Sequence, residues 1–389
     1  MIAAIIFWLC VVIIFHSYIF YPFLLRLLAA NKKLPELHSN TSFLRVSVLM
    51  SVYNEEKVIE KKIRSVFKTN YPADKLELVI GSDGSADRTD AIIQQFISEG
   101  YAIRFKQFGG RNGKSNILNQ ITSLATGEIF ILTDANIFFE ENTIPHLVRH
   151  FNNPEIGLVG ANIINSGMSD EGISFQEEAY IKRENIIKYR EGLIWGTMMG
   201  AFGACYAIRK EYFVQIPPNF LMEDFFITMG VIKNKKRSIS DLEAKAYEDV
   251  SNLVSEEFKR KVRISAGNFQ NLFYYKSLLL NPFSGAGFSL WSHKVFRWIS
   301  PFLIIISFCT LLVLQMQNLF YTVMLFLHIF LMLTPFIDLL LKRMKLHNFA
   351  IRLAAYFYIM NLALLIGFFK FIRGIKTNAW SPTQRNIQA

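Results

Sequence analysis

Apolar residues are distributed along this chain in three regimes. Ile2 to Phe15 is apolar without interruption, and Met1 to Leu25 carries no formally charged side chain. About 20 such residues make a membrane span. No Lys, Arg, Asp or Glu occurs between Arg297 and Asp338, room for two spans joined by a turn near Gln315-Met316-Gln317-Asn318. Leu353 to Phe369 is a third uncharged segment near the carboxyl end, but it is short, reaching roughly 26 Å as a helix. Between these ends, short apolar runs alternate with amphipathic stripes.

The runs predict strands at Val46–Val52, Leu76–Ile80, Ala102–Phe108 and Glu128–Thr133. Ile129 to Leu132 is continuously apolar, which suits a strand buried on both faces of a parallel sheet. The stripes predict helices at Glu55–Thr69, with Val58, Ile59, Ile63, Val66 and Phe67 on one face, at Ala86–Ile97, and at Ser115–Ala125. Strand and helix alternating in this way read as an α/β, doubly wound parallel sheet. Each strand ends in polar or glycine residues: Tyr53-Asn54-Glu55, Ser82-Asp83-Gly84-Ser85, Gly109-Gly110-Arg111-Asn112-Gly113-Lys114 and Thr133-Asp134-Ala135-Asn136. Ligands of open α/β sheets bind outside the carboxyl ends of the strands, so these loops are the candidate site.

Beyond the sheet, Gly157–Ile164 reads as a strand and Phe175–Arg190 as a charged helix. Gly196–Ile208 is a glycine-punctuated ribbon, and Glu256–Phe273 a basic helix containing Arg260-Lys261-Val262-Arg263-Ile264. Phe273–Leu280 and Trp291–Trp298 are aromatic and basic, as in helices lying in a membrane interface.

The net charge of +11 first suggests nucleic acid. The basic residues sit mainly beside apolar spans, however, and no nucleic-acid motif appears. Arg26, Lys32 and Lys33 follow the first span and place its carboxyl end in the cytoplasm; Lys342, Arg343 and Lys345 mark a second cytoplasmic return. Arg352 and the cluster Lys370, Arg373 and Lys376 flank the third segment, so the charge rule favours a re-entrant or interfacial path there over a full crossing. Cys10, Cys205 and Cys309 are too scattered for a disulfide framework or a thiolate zinc site. His146 and His150, spaced i, i+4 without a third ligand, read as a solvated helix face.

An acid at a strand end can hold a divalent cation against a phosphate. By themselves, Asp134 and Asn136 read more plainly as an Asx-type turn. Lys114 can meet a diphosphate as a point charge, and alone reads as an exposed first-turn lysine. Glu223 and Asp224 lie in an apolar stretch; burial would poise one as a base, and a helix N-terminus carrying acids is the alternative.

Taken in order, these motifs resemble the membrane-embedded family 2 glycosyltransferases, which include cellulose, chitin, hyaluronan and poly-N-acetylglucosamine synthases. The resemblance covers residues 45 to 275 closely and the flanking spans loosely. It implies a GT-A fold, a nucleoside-diphosphate sugar donor (usually UDP), Mg2+ or Mn2+, and inversion at the anomeric carbon. By position it implies that Tyr53, Asn54 and Glu55 line the nucleoside pocket. Asp83 would meet base or ribose, with Lys114 nearby. Asp134 and Asn136 take the ends of the D-x-D metal motif, Asp224 is the general base with Glu223 beside it, and Arg260 and Arg263 fall on the Q-x-x-R-W segment that closes over the diphosphate. Two departures stand out. Asn136 is a neutral metal ligand, and Ile264 replaces the tryptophan that would stack on a growing sugar chain.

The expected organisation is an N-terminal transmembrane helix (1–30), a linker (31–44), a GT-A domain (45–270), interfacial helices (271–298), two or three C-terminal membrane segments (299–372) and a tail (373–389). The expected protein is a multi-pass plasma (inner) membrane enzyme with a cytoplasmic catalytic domain. Its expected partners are a UDP-sugar, a glycan or lipid-linked acceptor, and membrane lipids, with a homo-oligomer or export partner if it is a synthase. Overall architecture leans slightly to polysaccharide assembly, with single-sugar addition close behind. The rival classes are a non-catalytic nucleotide-sugar-binding membrane protein and, less in keeping with so few spans, a transporter.

Overall fold

The computed structural model describes residues 1–34, 43–166, 174–249 and 254–376. Most of the expected linker and tail lies outside them. The centre is one eight-stranded sheet ordered β3-β2-β1-β4-β7-β6-β8-β5. Its strands are β1 (Val46–Val52), β2 (Leu76–Ser82), β3 (Ile103–Gln107), β4 (Ile129–Thr133), β5 (Ile137–Phe139), β6 (Ile156–Ser166), β7 (Cys205–Arg209) and β8 (Arg237–Asp249). The first four are parallel, so their carboxyl ends share one edge. β7 joins β4 antiparallel and turns the second half into a mixed sheet. The doubly wound parallel pattern therefore describes one half only.

Alternation along β1 shows how the sheet is buried on both faces. Val46, Val48, Met50 and Val52 pack into a core with Ile59, Ile63, Val66, Ile93, Phe96 and Leu147. Leu49 enters the opposite core with Phe130, Leu132, Ile117, Ile121, Phe226 and Trp298. The covering helices are Ile59–Phe67, Thr89–Ser98 and Thr143–Val148 on the first face, and Lys114–Ile121 and Glu223–Lys233 on the second.

β5 and β8 have no counterpart in the sequence reading. The Gly196–Ile208 ribbon yields a strand only at Cys205–Arg209. His150 also departs from expectation. It is buried, with Nε2 2.6 Å from Asp241, and Arg149 donates to the same carboxylate and to Glu243. His146, Asp241 and Glu243 lie close enough to share a cation, but the Arg149 guanidinium already occupies both acids.

Among the described residues, three helices are long and apolar enough to cross a membrane: Ile2–Leu28, Leu319–Arg343 and Phe349–Ile372. Ser300–Leu314 is short, and meets the preceding Gly285–Trp298 segment at a 61° bend. At 24 residues, the last helix outruns its uncharged core. It lies along the basic Val254–Tyr274 helix: Ser265 donates to the Leu364 carbonyl (2.8 Å), Phe269 packs on Phe368, and Phe273 on Phe371. Gly367 permits this approach, since a Cβ there would sit 2.7 Å from the Val262 carbonyl oxygen and closer still to Ser265. Overpacking of this kind costs about 1–3 kcal/mol. Gly367→Ala should therefore lower the thermal unfolding midpoint in detergent by several degrees, and an unchanged midpoint would mean the two helices are not in close contact.

Candidate active site

The four strand-end loops are tied to one another by hydrogen bonds. Asn54, in the left-handed region at φ 51°, donates its backbone N–H to the Ser85 hydroxyl and accepts from Ala86 N with its side-chain oxygen. The Glu55 N–H donates to the Thr89 hydroxyl (2.8 Å), and the Glu55 side chain is buried. Gly84, at φ +74°, would place a Cβ 2.7 Å from the Gly110 carbonyl oxygen, so the second and third loops pack backbone to backbone.

Asp83 organises the third loop. Its carboxylate is fully buried and accepts from Asn112 N (2.5 Å), Gly113 N (3.0 Å) and Arg111 Nε (3.3 Å). The Arg111 guanidinium in turn lies 3.4 Å from the centre of the Tyr53 ring. Tyr53, Asp83 and Arg111 thus form one wall, and the glycine-rich loop is held open at its base by a carboxylate.

That loop delivers Lys114 to the first turn of the Lys114–Ile121 helix. Its ammonium lies 2.6 Å from Asp134 and 2.6 Å from Glu223. Burial alone would lower the lysine's pKa; the two carboxylates reverse this and leave it raised. Glu223 and Asp224 open the Glu223–Lys233 helix, so both readings of this acid pair hold at once: it sits at a helix N-terminus and it is buried. Asp224 accepts from Phe225 N (2.7 Å), and a Cβ on Gly203 would approach its other oxygen to 3.0 Å. Burial first, and the neighbouring Glu223 second, push Asp224 up to about 6, against the pull of Phe225 N, Lys114 and Lys188.

Asp134 is the most open member of this group, its side chain 38% exposed. Asn136 is nearly buried, and its amide has no hydrogen-bond partner among the described residues. A carboxylate and a free amide oxygen two residues apart are hard donors, which fit Mg2+ or Mn2+.

The basic helix packs against Leu221 and Met222, just before the acid pair, but its Arg260 is engaged with other partners. Arg260 donates to Glu177 (2.9 Å) and Glu257 (2.7 Å), and Lys261 joins it on Glu177 (3.0 Å). Burial would raise Glu177, but Lys261, Arg260 and the Tyr356 hydroxyl pull it down to about 2. Arg263 is half-buried and makes no ion pair among the described residues. Trp195 packs on Phe288 and against Gly285.

Sequence reasoning missed three residues here. Lys62 is fully buried under the Thr133–Ile137 turn and donates to the Thr133 hydroxyl (3.0 Å) and the Ile137 carbonyl (2.6 Å), with its ammonium 3.7 Å from the Phe139 ring centre. Burial pushes it down to about 7, opposed by Cys205 and Asp134. Its signal was a lysine in the apolar stripe between Ile59 and Ile63. Lys188, buried over the Phe202 ring, is pushed down to about 7 by burial and Lys294, against Glu184, Asp224 and Glu191. The Tyr206 hydroxyl on β7 is buried without a hydrogen-bond partner among the described residues. Burial, then Glu223, Asp224 and Asp134, raise its pKa.

Residues 47–216 match the family described as Glycosyl transferase family 2. The chain is 29% identical over 150 residues to a probable glycosyltransferase, YdaM, of Bacillus subtilis, covering 37% of this chain and 36% of the relative. It is 26% identical over 178 residues to a beta-monoglucosyldiacylglycerol synthase of Synechocystis, covering 44% of this chain and 37% of that one. It is 30% identical over 118 residues to a poly-beta-1,6-N-acetyl-D-glucosamine synthase of Staphylococcus epidermidis, covering 30% and 28%. Each match thus spans little more than a third of the relative's length, or less. A mannosyltransferase of Pyrobaculum calidifontis, solved with GDP-Man and Mn2+, superposes with a TM-score of 0.70 over 94% of this chain and 99% of its own, at 19% identity. Residues 47–216 thus carry the likeness to family 2 glycosyltransferases, and the fold is that of the GT-A mannosyltransferase.

The role found for Asp83 generates a prediction independent of activity. Asp83→Asn leaves one acceptor where two backbone donors and a guanidinium converge. Hydrogen bonds to a charged group are worth about 1.5–3 kcal/mol, so amide exchange at Asn112 and Gly113 should accelerate roughly tenfold or more. Unchanged exchange would mean that the loop stands without the carboxylate.

Proposed function

We propose that this chain is a membrane-bound inverting glycosyltransferase, transferring one sugar at a time from a UDP-sugar to a lipid-linked acceptor at the cytoplasmic face of the plasma membrane. The observation that carries the proposal is the convergence of Asp134, Lys114, Glu223 and Asp224 where parallel strands end. It joins a cation-binding acid, an ammonium for a diphosphate and a carboxylate poised as a base.

Asp224 takes the proton of an acceptor hydroxyl as that oxygen bonds to the anomeric carbon, and the bond to the diphosphate breaks on the opposite side. Its elevated pKa brings it close to working pH, where a base is most effective. Lys114 holds the diphosphate oxygens, and Glu223 keeps Lys114 in place. When bound at Asp134 and Asn136, Mg2+ or Mn2+ would neutralise charge developing on the leaving group. Tyr53 and Arg111 line the side of the site suited to a base and ribose; Asp83, fully buried beneath them, supports that side through the loop it holds and offers no surface to the donor. UDP is favoured by the resemblance of the whole motif series; the mannosyltransferase with the same fold was solved with GDP-Man, so GDP-mannose belongs in any donor panel.

Two observations favour a lipid-linked acceptor over a growing chain: Ile264 offers no stacking surface, and Trp195 is packed on Phe288 and against Gly285. One relative is named as a glycolipid synthase and another as a polymer synthase, so the choice rests on this chain's own residues. The Phe349–Ile372 helix is read as interfacial, because it lies along the domain's basic helix and because Lys370 in its last turn and Arg373 at its end are basic. The competing reading, a nucleotide-sugar-binding protein without turnover, would show UDP binding with no product across donors and acceptors.

A carboxylate base whose pKa lies near 6 is ionised above that pH and protonated below it. kcat/KM should therefore fall about tenfold per pH unit below about 6. Asp224→Asn should lose about 100-fold or more in kcat, with UDP binding retained. Wild-type turnover in Asp224→Asn would remove Asp224 from the role of base.

A further inference from the structure

Lys114 stands where an incoming divalent cation would be drawn. Its ammonium is 2.6 Å from Asp134 Oδ1, and Asp134 is the only charged member of the Asp134/Asn136 donor pair. The second carboxylate on it, Glu223 Oε1, is also 2.6 Å away and 10% exposed. The pair of acids thus has a cation already, supplied by the chain. A divalent ion approaching Asp134 meets a like charge at contact distance, and displacing that charge would strand Glu223. Leaving one buried charge without its partner is strongly unfavourable.

A diphosphate changes this balance. It offers the ammonium a new anion, and the four-carbon lysine stem is long enough to turn between anions while Gly113 and Asp83 keep its backbone fixed. Once Lys114 leans toward the phosphates, keeping Glu223 on another of its three N–H donors, Asp134 is freed, and the same phosphates add oxygen ligands that Mg2+ or Mn2+ favours. The neutral Asn136 sharpens the effect, because a single carboxylate holds whatever metal affinity the bare protein has. We propose that Lys114 is a resident counter-ion on Asp134 that a donor's diphosphate draws away, so that divalent-cation binding is conditional on the nucleotide. This inference rests on the reading of Asp134 as a metal ligand and of Lys114 as a phosphate contact.

Coupling between two ligands is reciprocal, and such couplings are typically about 5- to 150-fold in affinity. The test is Mn2+ binding to the purified full-length chain in detergent, followed by electron paramagnetic resonance of free Mn2+. It is run alone, with UDP and with GDP, and corrected for Mn2+ held by each nucleotide without protein. Wild type should bind Mn2+ weakly alone and about tenfold or more tightly with nucleotide. K114M should bind Mn2+ alone more tightly than wild type by a similar factor and show a smaller nucleotide effect, the remainder coming from the phosphate oxygens; K114R, which keeps the charge, should behave as wild type. Removing a cation from between two acids will destabilise K114M, so its melting temperature is a second readout: Mn2+ alone should raise it more than it raises that of wild type. K114M binding Mn2+ no more tightly than wild type, or showing an undiminished nucleotide effect, would overturn the proposal while leaving the metal site intact. Asp134→Asn with undiminished Mn2+ binding would overturn the site reading itself, and the proposal with it.

Discussion

Charge buried at the strand ends has to be matched within the protein, and much of the structure follows from how that is done. Lys114 can sit beneath the rim because Asp134 and Glu223 meet it from two sides. Asp83 can be fully buried because two backbone amides and Arg111 converge on it. Each pairing ties one strand-end loop to another part of the domain, so the same bonds that make burial tolerable also fix the positions of the reactive groups. Lys62 extends this behind the rim, pinning both sides of the Thr133–Ile137 turn that carries Asp134 and Asn136.

The same constraint joins the sheet domain to the apolar helices. The Ser174–Trp195 helix carries a stripe of buried ionisable residues matched from other elements. Glu177 faces Arg260, Lys261 and Tyr356. Glu184 faces His293, Lys294 and Arg297, which hold its carboxyl well below the usual range despite burial. Glu191 accepts from the Tyr21 hydroxyl and from Met199 N, with His293 Nδ1 at 2.8 Å. Lys188 sits between the last two on the same helix and is coupled electrostatically to Asp224. The first apolar helix, the segment ending at Trp298 and the last helix are thereby registered against the domain that carries the acids. Arg260 of the basic helix is likewise matched on the Ser174–Trp195 helix, which ties the two helices together.

The parallel half of the sheet was legible because β4 is a continuous apolar run, β1 and β2 are mostly apolar, all three lead into glycine or polar loops, and the helices between them keep a 3.6-residue stripe. β8 was not, because its 13 residues alternate charged side chains with alanine, serine and single aliphatics, and its partners β5 and β6 are distant in sequence. Asp134, Lys114, Glu223 and Asp224 could be read as chemical residues, though not as contacts, since no local pattern brings position 114 to 223. Lys62 and Lys188 were hidden by the assumption that a lysine on a helix faces water; each lies in register with buried neighbours. His150 was misread as solvated for the same reason. Its partner, Asp241, lies on the strand that escaped notice.

The central claim is a single displacement at the anomeric carbon, driven by one carboxylate base with no covalent sugar–enzyme intermediate. The most direct measurement is the anomeric configuration of the linkage formed from an α-linked UDP-sugar, read from the proton coupling constant at the new bond in the isolated product. A β linkage is the predicted result. An α linkage would require a second displacement or a different face of attack, and would contradict the assignment of Asp224 as the base of an inverting transfer.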